Sequence, residues 1–287
     1  MQIKLLAHKS IDYPSGSALE FYEGFLYLIG DDINYILMLD KNWNEVDRKL
    51  LFEFDGERIP KPKKPDLECA AMIGSKLYAF GSGSVSPQRD VVFVVDVLQN
   101  KVDKIDATPF YSTIRESGLL AEMNIEGFTD CKNKLLFFNR ANTQQPNQLI
   151  ITDKDVLKNK IPFLFKIIPI EIGFLNDISL GISGACYDEK NDILFLTSSA
   201  ENTSNTYDDG EIIGSTLSII YDAYKKLEDD KLVIDEVIEL EKTDALFSKQ
   251  KIESICMINR IDNNYTFNLV ADNDDGKSVL FEITIEL

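Results

Sequence analysis

Five polar residues recur along the 287-residue chain in the same local setting: Ser17, Glu68, Glu126, Ser183 and Glu253. They sit in the segments Ser15-Gly-Ser-Ala-Leu-Glu-Phe21, Asp66-Leu-Glu-Cys-Ala-Ala-Met72, Asn124-Ile-Glu-Gly-Phe-Thr-Asp130, Gly181-Ile-Ser-Gly-Ala-Cys-Tyr187 and Lys251-Ile-Glu-Ser-Ile-Cys-Met257. Successive spacings are 51, 58, 57 and 70 residues, and from Glu253 to the end and round to Ser17 is another 51. Three carboxylates brought to one place repel each other in a low dielectric, so protons or a cation must relieve them. Carboxylates with hydroxyls or carbonyls suit a hard, oxygen-loving ion. Calcium takes six to eight oxygens at roughly 2.3–2.6 Å, which places Ca²⁺ ahead of Mg²⁺ here. The alternative without a metal is a water-filled channel whose Glu side chains bond backbone amides.

What positions these residues is a repeat of short strands. Apolar runs such as Phe25-Leu-Tyr-Leu-Ile29, Tyr35-Ile-Leu-Met-Leu39, Lys76-Leu-Tyr-Ala-Phe80, Val91-Val-Phe-Val-Val95 and Leu135-Leu-Phe-Phe138 are rich in β-branched and aromatic types. They are bounded by Gly, Asn, Asp and Ser, and they are continuous, as expected of strands covered on both faces. Each repeat reads as a start segment, a turn, an apolar strand, a polar loop and another apolar strand. The last repeat supplies three strands after residue 251, and a spare strand precedes the first, over residues 2–10. Joining these completes a fifth unit. The expected fold is therefore all-β, a five-bladed β-propeller forming a single domain over 1–287. Its blades span about 13–60, 66–110, 124–172, 181–241, and 251–287 with 1–12, the last closed by the N-terminal strand. A sixth blade would have to come from the irregular stretch 107–123, where residues 113–123 read instead as a helical turn or two.

In a propeller the innermost strands line the channel, so the five start residues converge on one axis as the candidate metal ligands. Strands in a blade are antiparallel, and the loop after the second strand returns to the face where the first begins. Those loops are residues 30–32, 81–89, 139–143, 198–202 and 272–276, and the connection 61–65 (Lys-Pro-Lys-Lys-Pro) reaches the same face. The candidate binding residues there are Asp31, Asp32, Arg89, Asn139, Arg140, Glu201 and Asp272. Paired acids such as Asp31 and Asp32 could hold a metal-bound water or act as a general base. Arg89 and Arg140 could grip a carboxylate or phosphate. Asp, Asn and Gly are also ordinary turn formers, and Asp275-Gly276 reads as a hairpin turn. Residues 272–276 look like the start of an EF-hand loop, but the spacing to Glu282 does not fit its twelve-residue pattern.

The five-unit layout and the Ser-Glu-Glu-Ser-Glu order resemble the calcium-activated nucleotidases, the soluble apyrase family. The matching stretches are Ser17-Ala-Leu with Phe25-Leu-Tyr-Leu-Ile-Gly-Asp-Asp32, and Asp66-Leu-Glu68 with Lys76-Leu-Tyr78. Further matches are Ile125-Glu126 with Leu136-Phe-Phe-Asn-Arg140, then Ile182-Ser183 and Ile252-Glu253. The resemblance implies a five-bladed propeller with Ca²⁺ in the channel and hydrolysis of nucleoside di- and triphosphates. The chain departs from that family at Ala18, where a second acidic residue is usual, in a short region before the first blade, and in sparse basic residues.

Composition bounds the partners. With 30 Lys plus Arg against 48 Asp plus Glu the formal charge is −18, a poor receptor for DNA, RNA or anionic lipid. No stretch approaches 18 uninterrupted apolar residues, and the start lacks a signal-peptide pattern. Cys69, Cys131, Cys186 and Cys256 show no metal or redox spacing and read as buried thiols of a cytoplasmic protein. A His-based triad would hang on His8 alone. The expected function is a propeller with a calcium-type cation and a rim that binds a small molecule or protein. The alternative is a calcium-dependent hydrolase of phosphate esters or nucleotides, and a paired-carboxylate glycosidase is a distant third.

Overall fold

The computed structural model describes residues 2–142, 145–158, 163–202 and 210–287. Thr143 of the third rim loop and residues 203–209 of the long fourth-repeat loop lie outside the described residues. The chain is all-β, and its five main sheets are those of a five-bladed β-propeller. They fall into two compact units, one of residues 1–106 with 253–287 and one of residues 107–252.

The first unit opens with β1 (Gln2–Ile11). Two four-stranded antiparallel sheets follow, β2 (Gly16–Tyr22), β3 (Phe25–Gly30), β4 (Tyr35–Leu39) and β5 (Glu45–Leu50), then β6 (Leu67–Ile73), β7 (Lys76–Gly81), β8 (Val91–Asp96) and β9 (Lys101–Asp106). The middle strands are buried on both faces, as their unbroken apolar runs require. The outer strands β5 and β9 alternate charge along exposed edges, which blunts them against stray pairing.

The second unit begins with α1 (Thr108–Glu116). It starts earlier than the helical turns expected over 113–123, because Pro109 occupies its first turn and Phe110, Tyr111 and Ile114 give it a buried face. Then come β10 (Ile125–Cys131), β11 (Lys134–Asn139), β12 (Asn147–Asp153) and β13 (Phe165–Glu171) as one sheet, and the small hairpin β14 (Phe174–Leu175) with β15 (Ile178–Ser179). The next sheet is β16 (Gly181–Asp188), β17 (Ile193–Asn202), β18 (Glu211–Tyr221) and β20 (Glu236–Glu239). Between β18 and β20 the chain makes α2 (Ala223–Lys226) and β19 (Leu232–Val233), and β19 pairs parallel with β13 of the preceding sheet. The facing residues of these sheets, Leu136, Leu149, Ile168, Leu194 and Leu196 among them, form one core.

Back in the first unit, β21 (Ile252–Ile261), β22 (Asn264–Asp272) and β23 (Ser278–Glu286) complete the fifth sheet with β1. β1 runs antiparallel to β23 from Gln2 opposite Glu286 to Ile11 opposite Ser278, so the fifth sheet closes with the N-terminal strand as expected.

Candidate functional site

The repeat grammar has a specific backbone cause. In the first four sheets the pairing of the first two strands slips by one residue at the same place: between Gly16 and Ala18, Leu67 and Cys69, Ile125 and Gly127, and Ile182 and Gly184. The residue skipped each time is Ser17, Glu68, Glu126 or Ser183. Each is thus the extra residue of a β-bulge, a feature that breaks the local ladder and re-aims a side chain.

The two serines share a role. Ser17 Oγ donates to the carbonyl of Leu67 in the first unit, and Ser183 Oγ donates to that of Ile252 at 2.6 Å in the second. Each acceptor is the residue just before the next repeat's Glu. Both hydroxyls are buried and engaged in strand-to-strand bonds. Glu253 is buried in the first unit.

In the first unit the polar residues gather where β3 ends. The amide of Asp31 donates to the carbonyl of Ser15 at 3.1 Å, which fixes Asp31 over the start of β2 as the antiparallel geometry demands. The corresponding bond after β7 runs from the Ser82 amide to the carbonyl of Asp66 at 2.8 Å. Ser15 and Asp66, each two residues before the bulged residue, both adopt the left-handed backbone conformation, at φ 54° and 57°. As a result Asp31, Asp66 and Glu68 each bring one carboxylate oxygen within 4.8 Å of the others. Lys64 enters the same cluster. Its Nζ ion-pairs with Asp31 and lies 2.7 Å from Asp66 Oδ1. Arg89 Nη1 donates to Asp66 Oδ2 at 2.6 Å, and Ser82 Oγ bonds the same oxygen. Next door, Arg58 Nε donates to Asp32 Oδ2 at 2.7 Å and Nη2 to Ser15 Oγ at 2.7 Å.

The electrostatics follow from burial. Burial pushes the Asp31 carboxyl up to about 6, against the downward pull of Lys64, with Asp66 and Asp32 adding to the rise. Burial also works against the charge on Lys64, yet Asp31, Asp66 and Glu68 hold its pKa above the ordinary lysine value. The Oδ1 atoms of Asp31 and Asp32 are buried and accept no hydrogen bond. Such atoms are costly, about 1–3 kcal/mol each or more when charged, and they mark where a further cation or donor would be welcome.

The second unit carries a different cluster. Arg140, whose amide donates to the carbonyl of Asn124 at 2.8 Å, directs Nη1 to Glu126 Oε2. Its Nη2 donates to Glu201 Oε1 at 2.8 Å and to Ser199 Oγ at 2.9 Å. Asn124 Nδ2 donates to Glu126 Oε1 at 2.6 Å, and Lys251 Nζ lies 3.3 Å from Glu201. Burial raises the Glu201 pKa, but Arg140 and Lys251 outweigh it and hold the carboxyl below its ordinary value. Asn139 is fully buried, accepting from the Asn124 amide and donating to the Glu122 carbonyl, so it braces the loop from inside. Asp272 accepts the Asp274 amide at 3.0 Å within its own turn.

The structure therefore brings Asp31 together with Glu68, and Arg89 with them through Asp66. It brings Arg140 together with Glu126 and Glu201. Arg58, Lys64, Asp66 and Lys251 were not among the expected site residues. The sequence signal for Asp66 was its place two residues before Glu68 in the repeat. For Lys64 it was the Lys-Pro-Lys-Lys-Pro connection leading to that face.

Comparison with known proteins agrees with this architecture. The chain matches a family of unknown function (DUF6929) over residues 12–285, and it belongs to that family. No curated protein matches it. Among solved structures it is similar to the glutaminyl cyclase of Myxococcus xanthus, with a TM-score of 0.57 at 12% identity, covering 98% of this chain and 95% of that one. It also aligns with a member of the DUF4221 family from Bacteroides vulgatus, with a TM-score of 0.43 at 10% identity, over 98% of both chains. The likeness to the glutaminyl cyclase, at 12% identity, carries the fold alone. Among the described residues, no helix is long and apolar enough to cross a membrane.

Proposed function

We propose that this chain is a ligand-binding propeller whose recognition centre is a cation site of the calcium type formed by Asp31, Asp66 and Glu68. The observation that carries the reading is the fully buried Oδ1 of Asp31, which accepts no hydrogen bond beside two further carboxylates. Carboxylate oxygens so close together form a donor set that suits a hard divalent ion. Such an ion would also supply the charge that holds Asp31 ionised. The reading moves the centre of the expected metal set. Glu68 stays in it, and Asp31 and Asp66 join it, while Ser17 and Ser183 act through backbone carbonyls. A binding role is favoured over phosphoester hydrolysis because Arg89 and Arg140, the arginines a phosphate would need, already bond Asp66, Glu126 and Glu201. Four free cysteines, three of them buried, support a reducing, cytoplasmic setting.

The test is calcium titration followed by calorimetry and thermal melting. At a hundredfold excess over Kd, binding to the folded state alone adds about 2.7 kcal/mol of stability. Asp31→Asn and Glu68→Gln should each remove the calcium-dependent rise in melting temperature. A wild-type melting curve identical with calcium and with chelator would defeat the proposal. Phosphate release from nucleotides by the calcium-loaded protein would reinstate the hydrolase.

A further inference from the structure

We infer that Lys64 is a displaceable internal counter-ion, whose ammonium group competes with an added divalent cation for the carboxylates of Asp31 and Asp66. The inference rests on the cation reading above and adds how that site is regulated.

Geometry makes the two occupants mutually exclusive. The three carboxylate oxygens lie within 4.8 Å of one another, and Lys64 Nζ already touches two of the three residues. An ion bound at roughly 2.3–2.6 Å from oxygens of these carboxylates would lie close to an ammonium group that holds Asp31 Oδ2 and Asp66 Oδ1, in a poorly solvated site where like charges repel strongly. One of them must leave. Lys64 is the group built to move. It lies on the irregular connection between β5 and β6, held by a turn in which the amides of Lys63 and Lys64 donate to the carbonyl of Pro60, at 2.7 and 3.1 Å. Its charge rides on a flexible four-carbon stem, whereas the planar guanidinium of Arg89 is fixed on Asp66 Oδ2 and on Ser84 Oγ.

Lys64 does not satisfy every acceptor around it. Asp31 Oδ1 is buried without a hydrogen bond, and Asp32, more than nine-tenths buried, has an oxygen in the same condition. Departure of Lys64 would leave Asp66 paired with Arg89 and Ser82, so the cluster stays assembled around the incoming ion. The lysine thus acts as a plug that sets a threshold cation concentration for binding.

The test compares calcium binding by wild type, Lys64→Gln and Asp31→Asn in calorimetric titrations with CaCl₂. Removing the competitor should tighten binding by Lys64→Gln at least tenfold, while Asp31→Asn binds none. Wild type and Lys64→Gln binding calcium equally well would overturn the inference and leave the cation reading standing. Binding by neither would overturn both. A second measurement needs no variant. The Lys64 side chain is only 9% exposed, so reductive methylation read by mass spectrometry should find it protected without calcium and modified at saturating CaCl₂. Protection unchanged at saturation would equally overturn the inference.

Discussion

Glu20, on β2, is a carboxyl held largely out of water. Burial raises its pKa to about 8, despite hydrogen bonds from the amides of Met72 and Phe21 that favour the charged form. The folded state therefore binds a proton that the unfolded chain, at about 4.5, gives up. Between these two values stability falls as pH rises, and it is flat on either side. Glu20→Gln should remove this slope, so the melting temperature of the variant relative to wild type should climb from pH 5 to pH 8. A constant difference would show that the carboxyl titrates normally. Gly181 makes a second point at this scale. A Cβ added there would lie 2.5 Å from Arg140 Nε and 2.8 Å from its Cγ, so the glycine is the floor on which the guanidinium rests. Gly181→Ala should displace Arg140 from Glu126 and Glu201 and cost about 1–3 kcal/mol in chemical denaturation, as overpacking does. The repeat register was readable from single residues because a polar Ser or Glu stands at each start, and four of these starts, Ser17, Glu68, Glu126 and Ser183, fall at a β-bulge. Their partners were not. Lys64 stands outside the strand pattern and Lys251 opens a repeat segment, and only the fold reveals which carboxylates they meet.

At the scale of elements, legibility followed burial. Middle strands were visible as apolar runs because both of their faces are covered, and inner strands through their repeated polar start segments. The outer strands β5, β9 and β20 carry charges on exposed edges and give no such run, so their pairing is a matter of tertiary context. β13 is the exception among outer strands. Its sequence Phe-Lys-Ile-Ile-Pro-Ile-Glu has few charges to guard the edge, and here the structure adds a cover. β19 pairs with Ile170 and Glu171, and Lys166 Nζ, at the other end of β13, donates to the carbonyls of Leu227, Glu228 and Asp229 after α2. The excursion between β18 and β20 is thus a strap over an outer edge with few gatekeeping charges. Leu232→Pro, which bars regular strand geometry at that point, should expose the β13 edge. The expected result is self-association seen by light scattering under conditions where wild type is monodisperse. An unchanged scattering profile would mean that Pro169 and the flanking residues protect the edge alone.

For the whole molecule, the informative element is the strand that joins distant parts of the sequence into one sheet. β1 pairs with β23 over its full length, with one slip between Leu5 and Ala7, and most of its side chains are exposed. Its contribution therefore lies less in buried apolar area than in the ladder it completes and in the edge it covers. Without it, β23 would present Leu280, Phe281, Ile283 and Ile285, now buried, beside an unpaired row of backbone groups. That is the pattern of a strand edge prone to recruit another chain. A strand count taken from the apolar runs already placed this closure, because the last repeat was one strand short and the first had one to spare. Deleting residues 2–11 should lower the melting temperature more than any single substitution above and should shift gel-filtration elution toward larger species. Adding the deleted decapeptide in excess should reverse both changes, since the ladder can be restored by a strand that is not covalently attached. A truncated protein that melts and elutes like the full chain would show that β23 is a stable edge in its own right, and that β1 is pairing without holding the sheet.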